Sequence, residues 1–183
     1  MRGSKPFLVV AIAGALQLIS IAASAADSPA ASQAAPKAAT AELKATPGNG
    51  VSGTLTLNQD GDGVRVTGSI KGLEPSSTHG FHVHEKGDCR APDASSAGGH
   101  YNPSAQPHGD PKGTQHHLGD MTNIVADATG AAKVDAVLSG TTLRSGAAND
   151  LVGKAVIVHG GPDDYKSQPA GNSGPRIACA IIK

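Results

Sequence analysis

From Thr40 onward, short apolar and polar runs alternate and turn residues interrupt them at close intervals. Val64, Val66, Gly68 and Ile70 are separated by Arg65, Thr67 and Ser69, the period of two that gives a strand one buried and one solvated face. The same reading places strands over 41–46, 51–57, 64–70, 122–126 and 132–138. Gly48-Asn49-Gly50, Asp60-Gly61, Asp62-Gly63 and Thr129-Gly130 supply the turns. Phe81 to His84, Lys154 to His159 and Arg176 to Ile182 bring the total to about eight strands. No long apolar repeat of 3.6 residues competes with them, so the fold class is all-β, a sandwich or barrel. Two polar stretches, 87–117 and 160–175, remain as long loops, and loops of that length in a compact domain are usually functional.

The chain begins differently. Arg2 and Lys5 precede an apolar run from Phe7 to Leu16, and Ala23-Ser24-Ala25 follows, the layout of a secretory signal peptide. Gln17 and Ser20 interrupt the run too early for a membrane span of about 18 or more apolar residues, so cleavage near Ala25 leaves no stable membrane anchor. Residues 26–40 are mostly Ala, Ser, Pro, Gln and Thr, too poor in large apolar groups to build a core. The chain therefore divides into a signal peptide (1–25), a flexible tether (26–40) and one domain (41–183), with export to the periplasm. Lys+Arg 15 balances Asp+Glu 15, which argues against a nucleic-acid partner, and cleavage removes two bases and no acid. With 2% aromatic residues and no Trp, the core must be aliphatic. The two cysteines, Cys89 and Cys179, are free to pair in an oxidising compartment.

All eight histidines lie between positions 79 and 159. His82 and His84 sit two apart on a predicted strand, so both imidazoles point to one face and can converge on one ion. The long loop adds His100 after Gly98-Gly99, His108 before Gly109, and then His117 and Asp120, while His159 ends a later strand. Three imidazoles with one carboxylate fit a closed tetrahedral zinc site, and imidazole-rich sites with an open position also suit copper.

The ordered set His82-x-His84, Gly98-Gly99-His100-Tyr101-Asn102-Pro103, His108-Gly109, His117-x-Gly119-Asp120, Val158-His159 and Gly171-Asn172-Ser173-Gly174-Pro175-Arg176-Ile177-Ala178-Cys179 resembles the copper-zinc superoxide dismutases, in their exported bacterial form. The resemblance covers roughly residues 41–183. It implies an eight-stranded Greek-key β-sandwich or flattened barrel, the architecture these enzymes share. It also implies an oxidoreductase that converts superoxide to oxygen and hydrogen peroxide with one copper and one zinc ion per chain. Copper falls on His82, His84, His100 and His159, and zinc on His100, His108, His117 and Asp120, with His100 shared as a bridging imidazolate that also carries a proton.

By the same resemblance Arg176 orients the substrate anion and Asp163 hydrogen-bonds one histidine of each metal. His79 braces the backbone of the active-site loop, and Cys89 and Cys179 form the intrasubunit disulfide. Asp164 is the near competitor of Asp163, and His116 adjoins His117 without a role of its own. Lys86 and Lys166, in the loops flanking the site, are candidates for steering the anion. Two positions depart from the family pattern: Pro175 stands before the arginine and Ala180 after the second cysteine, and their effect falls on catalytic efficiency. The alternative function is a carrier or buffer of copper and zinc on the same fold. Exported members of the family occur as monomers and as dimers, which leaves a homodimer open.

Overall fold

The computed structural model describes Met1, Gly3 and residues 37–183. The rest of the predicted signal peptide and residues 26–36 lie outside the described residues. The described residues hold nine strands: β1 (Ala38–Ala45), β2 (Ser52–Asp60), β3 (Gly63–Lys71), β4 (Thr78–His79), β5 (Phe81–His84), β6 (Ile124–Val125), β7 (Ala132–Ser139), β8 (Ala155–His159) and β9 (Arg176–Ile181). Among the described residues the one helical element is a 3₁₀ turn, Ser95–Ala97, and no helix is long and apolar enough to cross a membrane. Seven strands form a curled antiparallel sheet in the order β5-β8-β9-β1-β2-β3-β7, and β4 pairs with β6. The all-β expectation is met. β1 begins earlier than the sequence pattern placed it, because Ala38, Ala39 and Thr40 pair with Asn58, Leu57 and Thr56, so the end of the predicted tether is strand.

β1 also joins the two halves of the sheet: residues 38–43 bond to β2, while Lys44 and Ala45 bond to Cys179 and Ala178 on β9. Alternation then decides what is buried. Leu55 and Leu57 of β2 and Val64, Val66 and Ile70 of β3 are fully buried, whereas their neighbours Thr54, Thr56, Arg65 and Ser69 are exposed. The core is aliphatic, as the composition requires, with Phe81 its largest fully buried side chain.

β5 and β8 are buried along their whole length because both faces are covered. Phe81 and Val83, with Val156 and Val158, face the main core. On the other face Ala155 and Ile157 pack with Ala94, Ala97 and Cys179 under the loop that follows β5. The register sets His82 opposite Ile157 and His84 opposite Ala155, so both histidines share that second face. The period of two that builds the core therefore also delivers the imidazoles to one place.

The free edge of β5 is closed by its own following loop. Val83 N–H donates to the Gly119 carbonyl at 2.8 Å, Tyr101 N–H donates to the Val83 carbonyl at 2.8 Å, and Gly119 N–H donates to the Tyr101 carbonyl at 2.9 Å. Only glycine allows this approach at 119, since a Cβ there would lie 2.2 Å from the Val83 oxygen. The folded-back loop satisfies an edge strand's backbone and carries His100 and Asp120 to the histidines of β5. The disulfide Cys89–Cys179 ties the start of this loop to β9 across 90 residues of sequence, with Cα atoms 5.8 Å apart.

Candidate metal centre

Two groups of buried ligating side chains meet at this loop. Ligand atoms of His82, His84, His100 and His159 all lie within 4.8 Å of one another, and so do those of His100, His108, His117 and Asp120. His100 belongs to both. Its Nδ1 donates to Asp120 Oδ1 at 2.8 Å, inside the second group, while its Nε2 is buried with no hydrogen-bond partner.

His82, His84, His108 and His159 follow the same logic, with one ring nitrogen fixed by the protein and the other left facing the group. His82 Nε2 donates to Asp163 Oδ2 at 2.7 Å, and Nδ1 is buried and unpartnered. His84 Nδ1 donates to the Gly98 carbonyl at 2.9 Å and His159 Nδ1 to the Gly174 carbonyl at 3.2 Å, leaving their Nε2 atoms 3.4 Å apart. His117 Nδ1 is unpartnered, and His108 Nδ1 lies 3.0 Å from Asp120 Oδ2 without the alignment of a hydrogen bond. Buried nitrogens left without partners are costly, and several aimed at common points fit bound cations. A four-imidazole group suits copper, and a group of three imidazoles with one carboxylate suits zinc.

The electrostatics separate the groups. Burial, with neighbouring histidines adding to it, pushes His100 down to about 4 and His159 down to about 3, and it draws His84 well below the usual imidazole value. Those three rings are neutral at physiological pH and able to coordinate. His108 goes the other way: burial opposes its charge, but the carboxylates of Asp120 and Asp163 outweigh burial and hold it up at about 9. Asp120 is the matching half. Burial opposes its charge, but the hydrogen bonds from His100 Nδ1 and the His117 backbone N–H, with the close imidazoles of His108 and His117, outweigh burial and keep it well below the usual carboxylate range.

Asp163 bridges the groups through the protein. Its Oδ2 accepts from His82 and its Oδ1 accepts from His108 Nε2 at 3.0 Å, and the carboxylate is fully buried. Asp164, by contrast, is exposed and caps Lys166 and Ser167. His116 turns away, its Nδ1 donating to the His117 carbonyl at 2.8 Å. His79 is buried, with Nδ1 donating to the His159 carbonyl at 2.8 Å and Nε2 lying 2.6 Å from Ser77 Oγ. Arg176 begins β9 opposite His159, and its guanidinium donates to the carbonyls of Ala94 and Gly98, each at 2.6 Å. Gly98 thus holds both Arg176 and His84. Lys86 and Lys166 are exposed, and Lys86 Nζ lies 3.8 Å from Glu85.

Three contributors escape sequence reasoning. The Asn123 side chain pairs with both backbone groups of Asp163, at 2.9 and 2.8 Å, and its own N–H donates to the Tyr165 hydroxyl at 2.7 Å. The Gln168 side chain does the same for the backbone of His108. Loop amides and a loop tyrosine carry no periodicity, so no pattern marks them.

An antiparallel β-sheet domain with two histidine groups joined by one shared imidazole defines a two-metal protein of redox type. Residues 51–182 match the sequence profile of the family described as copper/zinc superoxide dismutase, and the chain belongs to that family. It is 44% identical over 148 residues to superoxide dismutase [Cu-Zn] 2 of Aquifex aeolicus (strain VF5), covering 78% of this chain and 85% of that one. It is 39% identical over 153 residues to the extracellular superoxide dismutase [Cu-Zn] of Brugia pahangi, covering 79% and 74%. The crystal structure of the clock protein EA4 superposes with a TM-score of 0.71 at 36% identity, covering 80% of this chain and 94% of that one.

Proposed function

We propose that this protein disproportionates superoxide, converting two superoxide anions and two protons into one molecule of oxygen and one of hydrogen peroxide. The observation that carries the reading is His100, which sends one nitrogen to each of two buried ligand groups. Copper would be held by His82, His84, His100 and His159, and zinc by His100, His108, His117 and Asp120. Copper, when bound, supplies the one-electron oxidation and reduction, and zinc has no redox chemistry of its own.

The chain's residues supply the rest. Arg176 stays cationic. Its two short bonds to backbone carbonyls hold the guanidinium beside His84, where it draws and orients a small anion. Nε2 of His100, buried and free of protein partners, is the atom at which a proton is held for the peroxide product. Asp163 fixes the tautomers of His82 and His108, and His79 braces the His159 carbonyl. Lys86 and Lys166 add positive potential near the loops. Substituting either with Ala should flatten the dependence of rate on ionic strength, and unchanged salt slopes would remove both from the site.

The leader composition and the extracellular name of the Brugia pahangi relative support export, with cleavage near Ala25 and a periplasmic location. The test is to purify the chain cleaved at that site, count its metals and measure superoxide removal beside Arg176→Ala. One copper and one zinc per chain, with turnover that falls in the variant, is the expected result. Tight binding of both metals with no more activity than free copper would make the protein a metal carrier.

A further inference from the structure

Gln168 stands in the loop between β8 and β9, and its amide meets both main-chain polar groups of one residue. His108 N–H donates to Gln168 Oε1 at 2.9 Å, and Gln168 Nε2 donates to the His108 carbonyl at 2.8 Å. A primary amide is the side-chain group that donates and accepts side by side, so this contact imitates a strand pairing for a single residue in a segment without strand structure.

The residue so held is the one on which the two loops converge. The side chain of His108 reaches Asp120 through Nδ1 and Asp163 through Nε2, both at 3.0 Å. The β8–β9 loop therefore grips His108 twice, at the imidazole through Asp163 and at the backbone through Gln168. Gln168 also lines a cavity of about 360 Å³ together with Ser167, Pro169, Ala170, Ser173 and His159 of the first ligand group. One side chain thus connects the backbone of the second group to the wall of the cavity against the first.

We propose that Gln168 is a positioning residue that fixes His108 for metal binding at the second group. The proposal rests on the metal assignment of the proposed function and adds a residue that the ligand pattern does not contain. Without the clasp, His108 keeps its imidazole contacts on a backbone free to shift, and metal leaves the second group faster.

The test uses the full metal-loaded chain with Gln168→Glu and Gln168→Met. Both keep the approximate length. The first loses the donor to the His108 carbonyl, and the second loses donor and acceptor without adding charge. Zinc release is followed with a colorimetric chelator while copper remains bound, and the visible spectrum of cobalt(II) placed in the second group reports its geometry. Outer partners of metal ligands typically change affinity about 10–100-fold. Zinc release about tenfold or more faster in both variants, an altered cobalt spectrum and copper affinity within twofold of the parent are expected. Release within twofold of the parent and an unchanged cobalt spectrum would overturn the proposal. So would equal loss of copper and zinc, which marks general loosening. A parent chain that takes up no metal at the second group would overturn the functional reading and this proposal with it, whereas a parent that holds zinc beside unaffected variants overturns the proposal alone.

Discussion

Replacing Asp163 by Asn removes one charge and almost no volume, and the hydrogen-bond pattern says where the damage falls. Oδ1 accepts from Tyr165 N–H at 2.6 Å and from His108 Nε2 at 3.0 Å, so two donors keep the amide oxygen on that side. The amide nitrogen then replaces Oδ2, 2.7 Å from His82 Nε2, and two donors face each other. His82 can relieve this by moving its proton to Nδ1, but Nδ1 is the nitrogen aimed at the first ligand group. A buried donor left unsatisfied costs about 1–3 kcal/mol. That agrees with the roughly 10–100-fold affinity loss usual for outer partners of metal ligands, about 1.4–2.8 kcal/mol. The assay is copper competition against a chelator of known affinity, with nitrogen-15 NMR of the imidazoles reporting the His82 tautomer. Copper affinity should fall about 10–100-fold with the proton found on Nδ1. Copper affinity within threefold of the parent, or a loss confined to zinc, would refute the orientation argued here.

Three further outcomes are expected. Gly171→Ala should destabilise the metal-loaded protein by about 1–3 kcal/mol, because φ there is +65° and a Cβ would lie 1.8 Å from Asp163 Oδ1. Thermal unfolding checks it, with Gly50→Ala as the control, where a Cβ would come no nearer than 4.0 Å to another atom, the Gly72 carbonyl oxygen. The double variant Cys89→Ser, Cys179→Ser should lose about 4–5 kcal/mol in urea unfolding, from releasing a crosslink across 90 residues. An unchanged urea midpoint would contradict it. Stability of the metal-free protein should be greatest near pH 6.5. His100 and His159 have folded values lowered to about 4 and 3, so the unfolded chain binds more protons and stability falls as pH drops from 6.5 through that range. His108 has its value raised to about 9, so its contribution is complete below 6.5 and is lost as pH rises through 9. Denaturant titrations at several pH values check this, and a monotonic profile would contradict it.

Much of the site is legible in one dimension because strands have a period of two. His82 and His84 must share a face once 81–84 is a strand, and their neighbours Phe81 and Val83 say which face is the core. The glycines that let the loop turn, and the order of His100, His108, His117 and Asp120, likewise stand in the sequence as a pattern. Choices between neighbours do not. Asp163 and Asp164 are equivalent in a turn-rich segment until one is buried against His82 and His108 and the other is left in solvent. His116 and His117 are separated only when one ring bonds to backbone and the other enters the ligand group.

Sequence alone therefore determined the strand alternation, the aliphatic core and the inventory of side chains able to ligate a metal, since these depend on local periodicity and residue chemistry. Tertiary structure decided which nitrogen of each imidazole stays free, that Asp163 bridges the groups, and that Asn123, Tyr165 and Gln168 hold the loops in place. Those contacts join residues about 40 to 80 positions apart, across loops whose path is set by what they pack against rather than by any repeat within them.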